Sequence, residues 1–176
     1  MNIIQPMVFT VLALLMCSCA TIKPPRNVAF HELLPEKFEL HNLPSPLFGG
    51  GSDLVFENGY LARHQYEGKW VRGGQKNVLI KTEYFVPSEL QWRDFWKEMD
   101  KIQVWSWKKR YDPSDIGVIV NDGGGWHLII SYNGMMIDTG GENAGPEPGN
   151  PKKTTVGWEW DKQIQDAVSI LTAKKG

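Results

Sequence analysis

Two glycine-rich stretches hold the residues whose types and spacing come closest to a binding chemistry. Asp122-Gly123-Gly124-Gly125 precedes an apolar run from Trp126 to Tyr132, and Gly140-Gly141-Glu142-Asn143 follows a second run from Met135 to Thr139. Asn133-Gly134 joins the two runs. An Asn-Gly pair between apolar runs marks a tight hairpin, because both turn residues take positive φ. A two-residue turn pairs Tyr132 with Met135, Ile130 with Ile137 and Leu128 with Thr139, which brings both glycine stretches to one end of a sheet. Glycine lets backbone approach a ligand closely, and loops on a rigid hairpin are common binding sites. Asp122, Trp126, Glu142 and Asn143 are therefore the candidate ligand-binding residues, with Trp126 and Trp158 as apolar walls. Oxygens in such loops suit calcium. The spacing matches no EF-hand, however, and Asp122 and Asn143 serve equally as turn-forming side chains. No metal and no cofactor is expected.

His127 is the other chemical candidate. It lies opposite Trp126 on its strand and diagonal to Asp138 across the hairpin, and a His beside a carboxylate is the start of a general base. No nucleophile motif accompanies it. His31, His41 and His64 lack zinc spacing, and Gly123-Gly124-Gly125 precedes a strand instead of opening a helix, unlike a phosphate loop. No catalytic residue is assigned. The 8 Trp in 176 residues are read mainly as core filler, and the alternative is a platform of exposed rings.

The elements that must position these residues alternate between strand and helix. Leu54 to Glu57 and Tyr60 to Arg63 flank Asn58-Gly59 as a first hairpin. Val78 to Val86 alternates as a half-buried strand, with Val78, Ile80, Thr82, Tyr84 and Val86 on one face. Ser88 and Gln91 form a capping box, after which Trp92, Phe95, Trp96 and Met99 recur at helical spacing. Val104 to Tyr111 reads as a period-two strand and Ile116 to Asn121 as a short apolar one. Residues 140–151 read as a loop. A closing helix from about Trp158 to Lys174 carries the stripe Trp160, Ile164, Ala167, Val168 and Leu171, with Lys174 and Lys175 suited to its C-terminal dipole. Hairpins without βαβ crossovers imply an α+β fold, an antiparallel sheet with two helices packed on it.

Targeting is written in the first residues. Met7 to Met16 is uncharged and apolar, about the length of a signal-peptide core and too short to span a bilayer as a helix. Cys17-Ser18-Cys19-Ala20-Thr21 follows, and both Cys of the chain lie here. Residues 1–18 are expected to be a signal peptide, the alternative being an uncleaved membrane anchor from about Ile3 to Ala20. Residues 19–52, rich in Pro and Gly, are expected to be a tether, and 53–176 a single domain. A formal net charge of −1 argues against nucleic acid, which needs a basic face.

Met16-Cys17-Ser18-Cys19-Ala20 resembles the lipobox of bacterial lipoproteins, although Met16 stands where Leu is usual and no Lys or Arg precedes the apolar core. The resemblance implies Cys19 as lipid-attachment site and a cell-envelope location, on an outer membrane or the periplasmic face of a membrane. Further along, Trp105-x-Trp107, Tyr111, Asp122-Gly123-x-x-Trp126 and Gly141-x-Asn143-x-x-Pro146 resemble a pattern in uncharacterised bacterial proteins. That likeness covers about residues 84 to 172 and implies one fold unit and no chemistry. The expected function is a non-catalytic, membrane-anchored envelope module that binds an unknown envelope protein or glycan. The alternatives are a glycan or peptidoglycan binder using exposed Trp, and a small hydrolase using His127.

Overall fold

The computed structural model describes residues 32–43, 50–121 and 123–173. The leader with Cys19, Asp122 and the pair Lys174-Lys175 lie outside the described residues. The fold is α+β: a seven-stranded sheet in the order β4-β3-β2-β1-β6-β7-β5 and a two-stranded β8-β9 ribbon, with two helices packed on the large sheet. The strands are β1 Lys37–Leu43, β2 Gly51–Glu57, β3 Tyr60–Val71, β4 Gly74–Phe85, β5 Arg110–Tyr111, β6 Gly125–Tyr132, β7 Met135–Glu142, β8 Gly145–Glu147 and β9 Asn150–Thr155. The helices are α1 Glu89–Lys101 and α2 Glu159–Thr172. All pairings in the large sheet are antiparallel except β5 with β7.

Both Asn-Gly hairpins form as their chemistry dictates. Asn58 and Asn133 take φ 51° and 50°, and the following glycines 85° and 73°. The second hairpin has the expected register, Tyr132 with Met135, Ile130 with Ile137 and Leu128 with Thr139. Alternation then sends Trp126, Leu128, Ile130 and Tyr132 to the helix-covered face and His127 and Ile129 to the other.

The core lies between that face and the helices. Ser88 and Gln91 form the capping box of α1, whose buried side is Trp92, Phe95, Trp96 and Met99. The Gln91 amide also donates to Ile170 O at 2.7 Å and Ala173 O at 3.2 Å, satisfying carbonyls that the end of α2 leaves open. Trp96 stacks on Tyr132 with centroids 3.9 Å apart, and Trp92 meets Phe56 edge-on. Helix α2 buries Ile164, Ala167, Val168 and Leu171.

Several expectations need correction. The tether assigned to residues 19–52 gives way over Lys37–Leu43, which is a central strand between β2 and β6. Phe38 and Leu40 on it are core residues. Its pairing with β6 is remote in sequence, so no hairpin pattern announces it. Val104 to Tyr111 is no long strand. Gln103 takes φ 55°, and Val104–Ser106 closes a 3-10 turn, so of this stretch Arg110–Tyr111 alone pair as a strand. The expected strand from Ile116 to Asn121 is missing: Asp112 caps a 3-10 turn over Pro113–Ile116, and Ile119 is 88% exposed. The strand around Val78 exists as β4, but it is the edge strand, and Ile80 and Tyr84 lie exposed. The stretch 140–151 is largely strand, taken up by β7, β8 and the start of β9.

Candidate functional site

The helix-covered face of the sheet changes character at one end. In register across the strands, Leu128, Leu40 and Leu54 form a buried row. The next row on the same face is Trp126, Asn42, Ser52 and Gln65, each paired with the next. Side chains two residues apart on a strand share a face, so hydrogen-bonding groups replace leucines where the helices stop covering. No side-chain hydrogen bond among the described residues engages Asn42, Ser52 or Gln65.

Above this floor opens a groove of about 1100 Å³, walled by Trp126, Trp158 and Trp160 and edged by Asp161 and Gln165 of α2. Trp126 is the inner wall. It is 5% exposed, and its indole N–H donates to Ala144 O at 2.8 Å. Trp160 leans on it, centroids 4.9 Å apart. A Cβ on Gly145 would overlap the Trp160 ring, so the glycine lets that ring lie against backbone. Trp158 stands 69% exposed at the mouth. It occupies the N-cap of α2 and makes no side-chain capping bond, at a position where Ser, Thr, Asp or Asn would stabilise the helix. Helix stability does not explain that tryptophan.

Of the residues singled out in the sequence, Trp126 and Asn143 line this groove, together with Gly124, Gly125 and Trp158. The two glycine stretches meet, with Asn143 N–H donating to Gly124 O at 3.0 Å. Asn143 takes φ 54°, and its amide lies where a Cβ on Gly123 would be. Glu142 does not belong to the groove. It is exposed beside Arg110, whose Nη2 is 3.4 Å from its Oε1. Asn42, Ser52, Gln65, Trp160, Asp161 and Gln165 escaped sequence reasoning. The first three need the β1 register, which has no local signature, and Trp160 reads as an ordinary member of a helical stripe.

His127 lies on the other face of the sheet, away from the groove. Its Nε2 is 2.6 Å from Asp138 Oδ1, and that hydrogen bond holds the Asp138 carboxyl below its ordinary value. Register sets His64, Asp53, His41 and His127 in one row there. His41 Nδ1 is 2.8 Å from Asp53 Oδ1, and the His41 and His127 rings stack with centroids 6.0 Å apart. The sequence spacing of His41 and His64 does not show this row, because their strands come together only in the fold. Among the described residues, no group of three or more His, Cys, Asp or Glu is arranged to hold a metal ion.

No family model, curated protein or solved structure matches the chain. The likeness to uncharacterised bacterial proteins therefore rests on the short motifs alone.

Proposed function

We propose that the protein is an exported, non-catalytic envelope module, tethered through Cys19, whose groove binds a glycan strand such as that of the cell wall. The observation that carries this reading is the pairing of an aromatic wall, Trp158 and Trp160, with the polar row Asn42, Ser52 and Gln65 on the groove floor. A sugar ring has an apolar C–H face and a rim of hydroxyls that both donate and accept. Indole rings offer flat, apolar contact, and amide side chains donate and accept from one group. The apolar leader and the lipobox-like stretch at Cys19 support export and tethering.

Binding is favoured over cleavage. Glycoside hydrolysis generally uses two carboxyl groups flanking the scissile bond. Among the described residues lining the groove, Asp161 is the one acid. His127 with Asp138 faces away and is not aimed at a groove ligand.

Calorimetric titration with cell-wall oligosaccharides tests the reading. The wild type is expected to bind without releasing shorter products. Trp158→Ser is expected to weaken binding about tenfold, by loss of one ring contact, while the melting midpoint holds or rises through the new cap. No glycan binding by the wild type, or equal affinity in Trp158→Ser, defeats the proposal.

A further inference from the structure

Strand β2 accompanies β3 only as far as Tyr66, which pairs with Gly51. Beyond it, β3 and β4 continue as a two-stranded ribbon through Lys69↔Lys76, Trp70↔Gln75 and Val71↔Gly74. Its end carries Trp70, 72% exposed, and Val71, 52% exposed. Arg72 and Gly73 make the turn, Gly73 and Gly74 take φ 107° and 132°, and a Cβ added to either glycine would meet nothing within 4 Å.

The charge at this tip is one-sided. Lys69, Arg72 and Lys76 gather there, and among residues 66–79 of the ribbon the one acid is Glu67, whose Oε2 is 3.5 Å from Lys69 Nζ. Lys69 and Lys76 are directly opposite across the ribbon. Like charges so placed destabilise a strand pair, and a lone two-stranded ribbon is marginal in water. The tip is cationic in a chain whose formal net charge is −1. Alternation puts the opposed lysine pair on one face of the ribbon and the Trp70 indole on the other, and folding alone gains nothing from either at an exposed tip. An anionic surface with an apolar interior gains from both, because indole settles at the headgroup level and Lys and Arg meet anionic lipid.

We infer that the β3–β4 tip docks on an anionic phospholipid bilayer, with Trp70 entering the interface and Lys69, Arg72 and Lys76 meeting the headgroups. The proposed export contributes only that a bilayer is within reach. The 13 residue-to-residue steps from Cys19 to Glu32 span at most about 45 Å when extended. The tip then acts as a second contact that would set how the tethered domain stands on the membrane.

Co-sedimentation of the full chain carrying Cys19→Ala, which has no acyl attachment there, tests this. The vesicles are phosphatidylglycerol mixed with phosphatidylcholine in one arm and phosphatidylcholine alone in the other. Expected is an anionic-specific binding component that falls as salt rises. Lys69→Glu with Lys76→Glu should weaken that component at least 25-fold, about fivefold for each cation lost. Trp70→Ala should weaken it about tenfold. All three forms should keep the wild-type melting midpoint and glycan affinity, which separates failure here from failure of the groove reading. Equal binding to both vesicle types overturns the inference. So does full retention of anionic binding in either variant; retention in the double lysine variant would leave Lys69 and Lys76 as edge charges that oppose strand-to-strand aggregation.

Discussion

Two neighbouring rows on one face of one sheet make opposite use of the same backbone. The row Leu128, Leu40, Leu54 lies under the helices and is buried. The row Trp126, Asn42, Ser52, Gln65 is one pleat away, about 7 Å along the strands, and floors an open groove. Nothing in the strand geometry separates them. The difference is what lies above, since α2 lays Ile164, Ala167, Val168 and Leu171 on the core but brings Trp160, Asp161 and Gln165 to the groove. Side chains over the first row should govern stability, and those over the second should govern binding. Substitutions can break or sharpen that division.

The largest effect is expected at Trp96. It is 6% exposed, stacks on Tyr132 and donates its indole N–H to Leu33 O at 2.8 Å. Trp96→Ala should lower unfolding free energy by about 3–5 kcal/mol, the range for a buried aromatic. Lys97→Ala, one residue on, loses only an exposed ion pair with Asp94 and should change it by less than about 0.5 kcal/mol. Glycan affinity should be unchanged in Lys97→Ala. Equal midpoints in urea for the two variants would mean that α1 does not carry the core.

Tyr111 comes next. Its hydroxyl accepts from Lys108 N–H at 2.9 Å and donates to Pro151 O at 2.6 Å, tying β5 to β9. Tyr111→Phe leaves the buried Pro151 carbonyl and the part-buried Lys108 N–H without this partner and should destabilise by about 1–3 kcal/mol. Burial also pushes this hydroxyl from 10.0 up to about 12. Above pH 10 the unfolded chain releases the proton while the native state still holds it. Wild-type stability should therefore fall as pH rises from 10 towards 12, and this dependence should flatten in Tyr111→Phe. An unchanged alkaline slope in the variant would assign that loss to other groups.

Gly145 sits on the boundary between the two regimes. Gly145→Ala drives a methyl into Trp160, so the ring must leave Trp126 or the backbone must shift, at about 1–2 kcal/mol. Because Trp160 serves the groove, glycan affinity should fall together with the melting midpoint. A loss of stability with full affinity would place Trp160 in the core alone.

How much of this division was legible in the sequence depended on the range of the interactions. Asn58-Gly59, Asn133-Gly134 and the Ser88-Gln91 box are local, and each specified its element. The stripe Ile164 to Leu171 is local too. The meeting of the glycine stretches followed from the hairpin register. The floor did not follow, because Asn42, Ser52 and Gln65 sit on three strands, and β1 pairs with β6 across more than eighty residues. A polar residue in a strand reads as solvent-facing by alternation, and here it marks where the helix layer ends. Val104 to Tyr111 misled for a related reason. Its alternating Trp105, Trp107 and Tyr111 mimic a strand, while Gln103 in the left-handed region turns the chain into a 3-10 turn.

The smallest change in stability, and the sharpest test of the comparison, is expected at Asn42. It continues the strand that buries Phe38 and Leu40, so an apolar residue there would extend the core row by one pleat. Among the described residues no side-chain hydrogen bond holds Asn42, so Asn42→Leu leaves no known partner unpaired, and leucine is the better strand former. The unfolding free energy should stay within about 0.5 kcal/mol of the wild type or rise. Glycan affinity should fall about tenfold, because the floor loses a group that both donates and accepts. Asn42→Asp, which keeps an acceptor but removes the donor, should fall between the two. Denaturant melts and calorimetric titrations on the same preparations decide the matter. If Asn42→Leu lowers stability by more than about 1 kcal/mol, the polar row belongs to the fold. If stability and affinity both stay at the wild-type level, the row is a solvated edge and the binding site must be sought elsewhere.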